Sequence, residues 1–145
     1  MNPARTNQKL YFARQALQQA GELHGQAALE REEACLLHLH GALYAFCAEL
    51  LTHYRQPPFA EFNELLARPG LPSEFMELNS LAGQGDSWLK QLLRLHQQVL
   101  TGTISGQQAA AGLITATVDY QGLFANWLNQ LDNLILRSRQ HYQEC

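Results

Sequence analysis

The sequence predicts an all-α fold, an antiparallel bundle of four main helices with short additional helices, and two observations predict it. Leu and Ala dominate the apolar content and Gln is abundant, while Val and Ile together number five of 145 residues. Unbranched and γ-branched side chains lose little rotamer freedom in a helix, and the β-branched residues that suit a pleated sheet are scarce. Apolar residues also recur at three- and four-residue intervals, the rhythm of a helix with one buried face.

The first helix is predicted from Arg5 to His24, with Leu10, Ala13, Leu17 and Ala20 on its inner face and Gly21 and Gly25 at its fraying end. The second and longest begins between Gln26 and Glu30, where Glu30, Glu32 and Glu33 place negative charge in the early turns, and stops before Pro57. On a helical wheel Leu36, Leu39, Leu43, Phe46, Leu50 and Tyr54 share one stripe, whereas the small residues Ala34, Gly41, Ala45, Ala48 and Thr52 share another. Two contact faces on one helix imply partners on two sides.

Pro58 is suited to the first position of a new helix, so two short helices are expected, Phe59 to Ala67 and Ser73 to Ala82, separated by the prolines of 68–72. The next helix follows Gly85, capped by Asp86 or Ser87, with Trp88, Leu92, Leu95 and Val99 on one face, and ends at Thr101 and Gly102. From 101 to 119 a connector ranks above a strand pair, although Leu113 to Val118 is β-branched enough to run extended. Asp119 caps the last helix, in which Leu123, Trp127, Leu131, Leu134 and Ser138 form a stripe widened by Phe124, Leu128 and Ile135. Residues 1–145 read as a single domain without internal repeat or linker.

The net charge of -3 and pI near 6.0 come from a mixed surface with only two Lys, which argues against nucleic acid as a partner. The only local basic cluster, Arg137, Arg139 and His141, is explained by a helix end, where cations complement unpaired carbonyls. No run of 18 or more apolar residues is seen and the first nine residues hold no apolar signal core, so the expectation is a cytoplasmic protein without a membrane partner. Cys35 and Cys47 lie on one helix about 18 Å apart along its axis, too far to bridge, and with Cys145 they fit a reducing compartment.

Motifs that carry chemistry are few. No Gly-x-Ser-x-Gly, phosphate-binding Gly loop or Cys-x-x-Cys occurs. Six histidines invite a metal, but the Glu-x-x-His pairs of di-metal bundles are missing and His38 and His40 face roughly 200° apart, so neither a metal nor a cofactor is expected. Arg31, His38 and Glu49 fall within about 20° of one another and form the one polar line on an apolar helix. They are the candidate catalytic set, an acid–base site of hydrolase or nuclease type with or without a metal. The Arg and His resemble in spacing the pair of small helical toxin nucleases. Glu32, which falls inside the leucine stripe, is expected to pair with Arg14.

The segments Arg5-Thr6-Asn7-Gln8-Lys9-Leu10-Tyr11-Phe12-Ala13, Glu30-Arg31-Glu32-Glu33-Ala34 and Leu37-His38-Leu39 resemble an uncharacterised bacterial all-helical family of pseudomonads and their relatives. That resemblance implies a bacterial cytoplasmic setting and brings no activity, cofactor or site. The leading functional expectation is therefore a non-catalytic protein-interaction module that engages another protein or itself as a homodimer, carried by the two-sided second helix. The enzyme centred on Arg31, His38 and Glu49 is the alternative, and a small apolar ligand between helices is a third reading.

Overall fold

The computed structural model describes residues 3–101 and 119–144, and the expected connector at 102–118 lies outside them. Among the described residues there are six helices: α1 (Pro3–Gly21), α2 (Gly25–His53), α3 (Phe62–Leu66), α4 (Glu74–Gly83), α5 (Trp88–Leu100) and α6 (Tyr120–Glu144). No strand occurs among the described residues, so the chain is all-α.

The boundaries have local causes. Between α1 and α2 the chain turns at Gly25, whose φ of 61° is in the left-handed region that glycine tolerates, so Gly25 opens α2 rather than fraying α1. At the far end of α2, Arg55 N–H bonds Thr52 O and Gln56 N–H bonds Leu51 O at 2.8 Å, the paired closure of a Schellman turn, with Arg55 itself at φ 56°. Pro57 follows and forbids continuation.

The third helix starts at Phe62, not at Phe59 as the proline signal suggested. Arg68 donates to the carbonyls of Pro57 and Pro58, at 2.6 Å each, and pairs with Glu64, which holds the segment as a loop instead. Ser87 caps α5 by accepting from Lys90 N–H at 3.1 Å, and Asp119 caps α6 by accepting from Gly122 N–H at 2.9 Å.

The predicted leucine stripe of α2 is the floor of the core: Leu36, Leu39, Leu43, Phe46 and Leu50 are buried, with Tyr54 half-buried at the rim. Trp127, Leu131, Leu134 and Ile135 of α6 join them, as do Phe75 and Leu78 of α4. Each such side chain contributes about 1.5–3 kcal/mol on leaving water. On α5 the buried set is Leu89, Leu92 and His96, rotated from the expected Trp88, Leu95 and Val99, which are half-buried. The rotation follows from α5 touching α2, α4 and α6 at once. Of the adjacent aromatics on α1, Tyr11 is 55% exposed and Phe12 half-buried, since one helix cannot turn both inward.

By length and composition α2 is apolar enough to cross a membrane, contrary to the expectation that no stretch is, but 56% of the apolar window is buried inside the fold. Its apolar face is used against α1, α5 and α6.

Candidate functional site

The polar line of α2 faces α1, and its three members part company there. Arg31 donates to Gln19 of α1 at 3.2 Å and pairs with its neighbour Glu30 at 2.8 Å. The His38 ring packs on Phe12, centroids 5.2 Å apart, and burial together with the charges of Lys9 and Arg31 lowers its pKa. Glu49 is buried with a side chain of 0% exposure and accepts from Thr6 Oγ1 at 2.9 Å. The structure thus gives the three candidate residues separate hydrogen-bond and ring partners, with only a through-space influence of Arg31 on His38.

Glu49 belongs instead to a closed knot that joins three helices. Arg139 of α6 meets it with two parallel bonds, Nε to Oε2 and Nη2 to Oε1, each 2.9 Å, while Tyr142 donates to Oε2 at 2.6 Å. The rest of the guanidinium reaches Asn7 Oδ1 at 2.9 Å and the Pro3 carbonyl at 3.4 Å. Burial alone would raise the Glu49 pKa, but the bonds from Arg139, Tyr142 and Thr6 outweigh it and hold the carboxyl below its ordinary value. The same arrangement pushes the Tyr142 phenol up to about 12, through burial and its bond to Glu49.

A second knot lies around Glu74. Its carboxylate accepts from Tyr54 Oη and stands 3.0 Å from His141 Nδ1. Here too the carboxyl sits below its ordinary value, because these bonds exceed the opposing effect of burial. The basic cluster of the last helix is therefore corrected: Arg137 pairs with Glu77, Arg139 with Glu49 and His141 with Glu74, so specific carboxylates hold them rather than the helix end alone. The expected Arg14–Glu32 pair is also replaced. Arg14 pairs with Asp132 at 3.2 Å, and the half-buried Glu32 accepts from Gln121 at 3.0 Å.

A wide polar hollow lies between α2, α3 and α5, a cleft of about 430 Å³. A row of rings runs along it. His40 and His96 stack face to face with centroids 3.4 Å apart and planes within 2°, and Tyr44 lies 4.3 Å beyond His40. Tyr44 in turn meets Phe62 at 5.9 Å and Phe59 at 5.2 Å. Burial, then the proximity of His96, lowers His40 to about 4, and burial lowers His96 as well, so both imidazoles are neutral near neutral pH. Lys90 and Arg94 stand one turn apart on the same wall of the cleft, with Glu61 on the lining.

The apolar hollow between Leu36, Leu95, Val99 and Phe124 measures about 20 Å³, room for a water and not for an apolar ligand. Among the described residues no three His, Cys, Asp or Glu side chains gather closely enough to hold a metal.

The chain belongs to DUF6586, a family of unknown function, whose profile matches residues 1–145. No curated protein and no solved structure matches it. The resemblance seen in the sequence, to a helical family without an assigned activity, agrees with that membership.

In this DUF6586 chain the cleft residues escaped sequence reasoning for a definite reason. His40 and His96 are 56 positions apart on two helices, and neither lies in a motif. The one available signal was His96, a polar residue on the inner side of α5 beside Leu89 and Leu92.

Proposed function

We propose that this DUF6586 chain is a non-catalytic helical interaction module of the bacterial cytoplasm, a bundle of four antiparallel helices that pairs through α2 with another protein, in the simplest case a second copy of itself. The single observation that carries the reading is the outer side of α2. Leu37 is 43% exposed there, Ala48 and Thr52 are exposed and Ala45 is half-buried, while the Lys9 side chain of α1 covers Gly41. Small residues along that side allow a second helix to approach at the short end of the 8–10 Å range of interaxial distances.

The antiparallel arrangement is supported by residue pairs that run in opposite senses along neighbouring helices. Thr6 meets Glu49, Phe12 meets His38 and Gln19 meets Arg31 along α1 and α2. Arg139 meets Asn7 and Asp132 meets Arg14 along α6 and α1. The hydrolase or nuclease alternative asks Arg31, His38 and Glu49 to act on one bond, and their separate partners favour the structural role.

Size-exclusion chromatography with light scattering tests the reading. A dimer is expected at micromolar concentration, and Ala48→Arg is expected to give a monomer with an unchanged helical circular dichroism spectrum. A strict monomer across the micromolar range, with no partner protein retained from the native cell, would overturn it.

A further inference from the structure

We infer that the cleft between α2, α3 and α5 is a binding site for a small planar anion, a flat aromatic or heteroaromatic acid whose ring lies against the row of stacked rings while its acid group meets Lys90 and Arg94. The site adjoins the outer side of α2 through Tyr44, but it is built from one chain and its test does not depend on the oligomeric state.

Three observations converge on that chemistry. The hollow is large enough, since about 430 Å³ falls within the roughly 300–1,000 Å³ of ligand sites. One wall is aromatic: His96, His40, Tyr44 and Phe62 succeed one another at centroid distances of 3.4, 4.3 and 5.9 Å. Half-buried His40 and Tyr44 present the accessible part of that row to a further flat ring, and their neighbours hold them in place.

The opposite requirement, an unspent positive charge, is met by α5. Lys90 and Arg94 are exposed and form no ion pair among the described residues; Arg94 makes only a long 3.4 Å contact to the Gly85 carbonyl. Two like charges one helical turn apart repel one another, and an anion between them removes that repulsion. Among the described residues Glu61 is the only carboxylate on the lining, so the two cations leave a net positive charge there. Asn63 and Gln97 add side-chain amides without hydrogen bonds to other described residues, positioned to orient a bound acid or ring substituent. A metal is a poor occupant, since two stacked imidazoles lack a third ligand.

Isothermal titration calorimetry on the full chain at low salt tests the site, with adenosine monophosphate and benzoate as planar anions, adenosine as the uncharged ring and inorganic phosphate as the ringless anion. At least one planar anion is expected to bind with sub-millimolar Kd, at least tenfold more tightly than adenosine and phosphate. Lys90→Ala and Arg94→Ala should each weaken it by about tenfold, the size of one lost charge-assisted hydrogen bond. Tyr44→Leu should weaken the planar anion while leaving phosphate unchanged, and circular dichroism will show whether each variant folds. The proposal is overturned if neither planar anion binds below 1 mM, if phosphate binds as tightly as both, or if folded Lys90→Ala and Arg94→Ala variants bind as the parent does.

Discussion

Replacing Arg139 by Met should turn a buried, doubly bonded ion pair into a liability whose sign depends on pH. In the parent, Arg139 places two bonds of 2.9 Å on a carboxylate with no exposure of its own, while its own side chain is 15% exposed. Removing one partner of a buried pair costs about 3–5 kcal/mol, because the other charge stays buried and uncompensated. At ~4 °C per kcal/mol for a chain of this length, the fall in Tm is roughly 12–20 °C near neutral pH.

The pH dependence supplies the sharper check. Glu49 in the parent lies below its ordinary value, so its contribution is present above the unfolded carboxyl pKa of about 4.3 and is lost as pH falls through the folded value. In Arg139→Met, Thr6 and Tyr142 remain as donors but burial dominates, and the folded pKa moves above the unfolded one. Stability then increases as pH drops from about 7 toward 5, an interval over which Glu49 contributes no slope in the parent. Urea titrations across that interval measure it. A loss under 1 kcal/mol, or a variant with the parent's pH slope, would show that Glu49 is not held as described.

Four further outcomes are expected. Arg55→Gly should raise stability by about 1 kcal/mol in urea unfolding, since Arg55 closes α2 at φ 56°, where a Cβ is costly and glycine is not. Asp119→Ala should lose about 1 kcal/mol by removing the acceptor for Gly122 N–H, and hydrogen exchange should localise the loss to the start of α6. Phe46→Ala should cost about 3–5 kcal/mol, because removing this fully buried ring leaves a cavity that its neighbours fill only in part. In a Cys145→Ser background the folded protein should react slowly with a thiol reagent near pH 8: burial pushes Cys35 to about 12 and Cys47 higher still, so neither thiolate is available until unfolding.

The helices and their inner faces were legible in the sequence because a 3.6-residue rhythm is a local property. Leu36, Leu39, Leu43, Phe46 and Leu50 needed only their own spacing to be placed, and they are buried. Where two elements compete for the same residues, spacing lost. Pro58 looked like a helix start, but Arg68, ten residues away, claims its carbonyl. Arg14 and Glu32 looked like a pair on adjacent helices, but α6 brings Asp132 to the one and Gln121 to the other. The cleft was illegible for the same reason, since His40 and His96 become a pair only when α5 is laid on α2.

The line Arg31, His38 and Glu49 has structural partners of its own, whatever its chemistry. A polar stripe on an apolar helix was legible; each of its members touches α1, and Glu49 meets α6 as well. What it meets changes from an amide at Gln19 to a ring at Phe12 to a hydroxyl at Thr6. Three unlike contacts in sequence distinguish one register of α1 against α2 from a slip by a turn, which a uniform row of Ala13, Ala16 and Ala20 against leucines would tolerate. A slip by one turn would set Thr6 away from Glu49 and leave that carboxylate, already facing Arg139 and Tyr142, short of a donor. The polar line thus contributes to helix registration, the use for which buried polar groups are best attested.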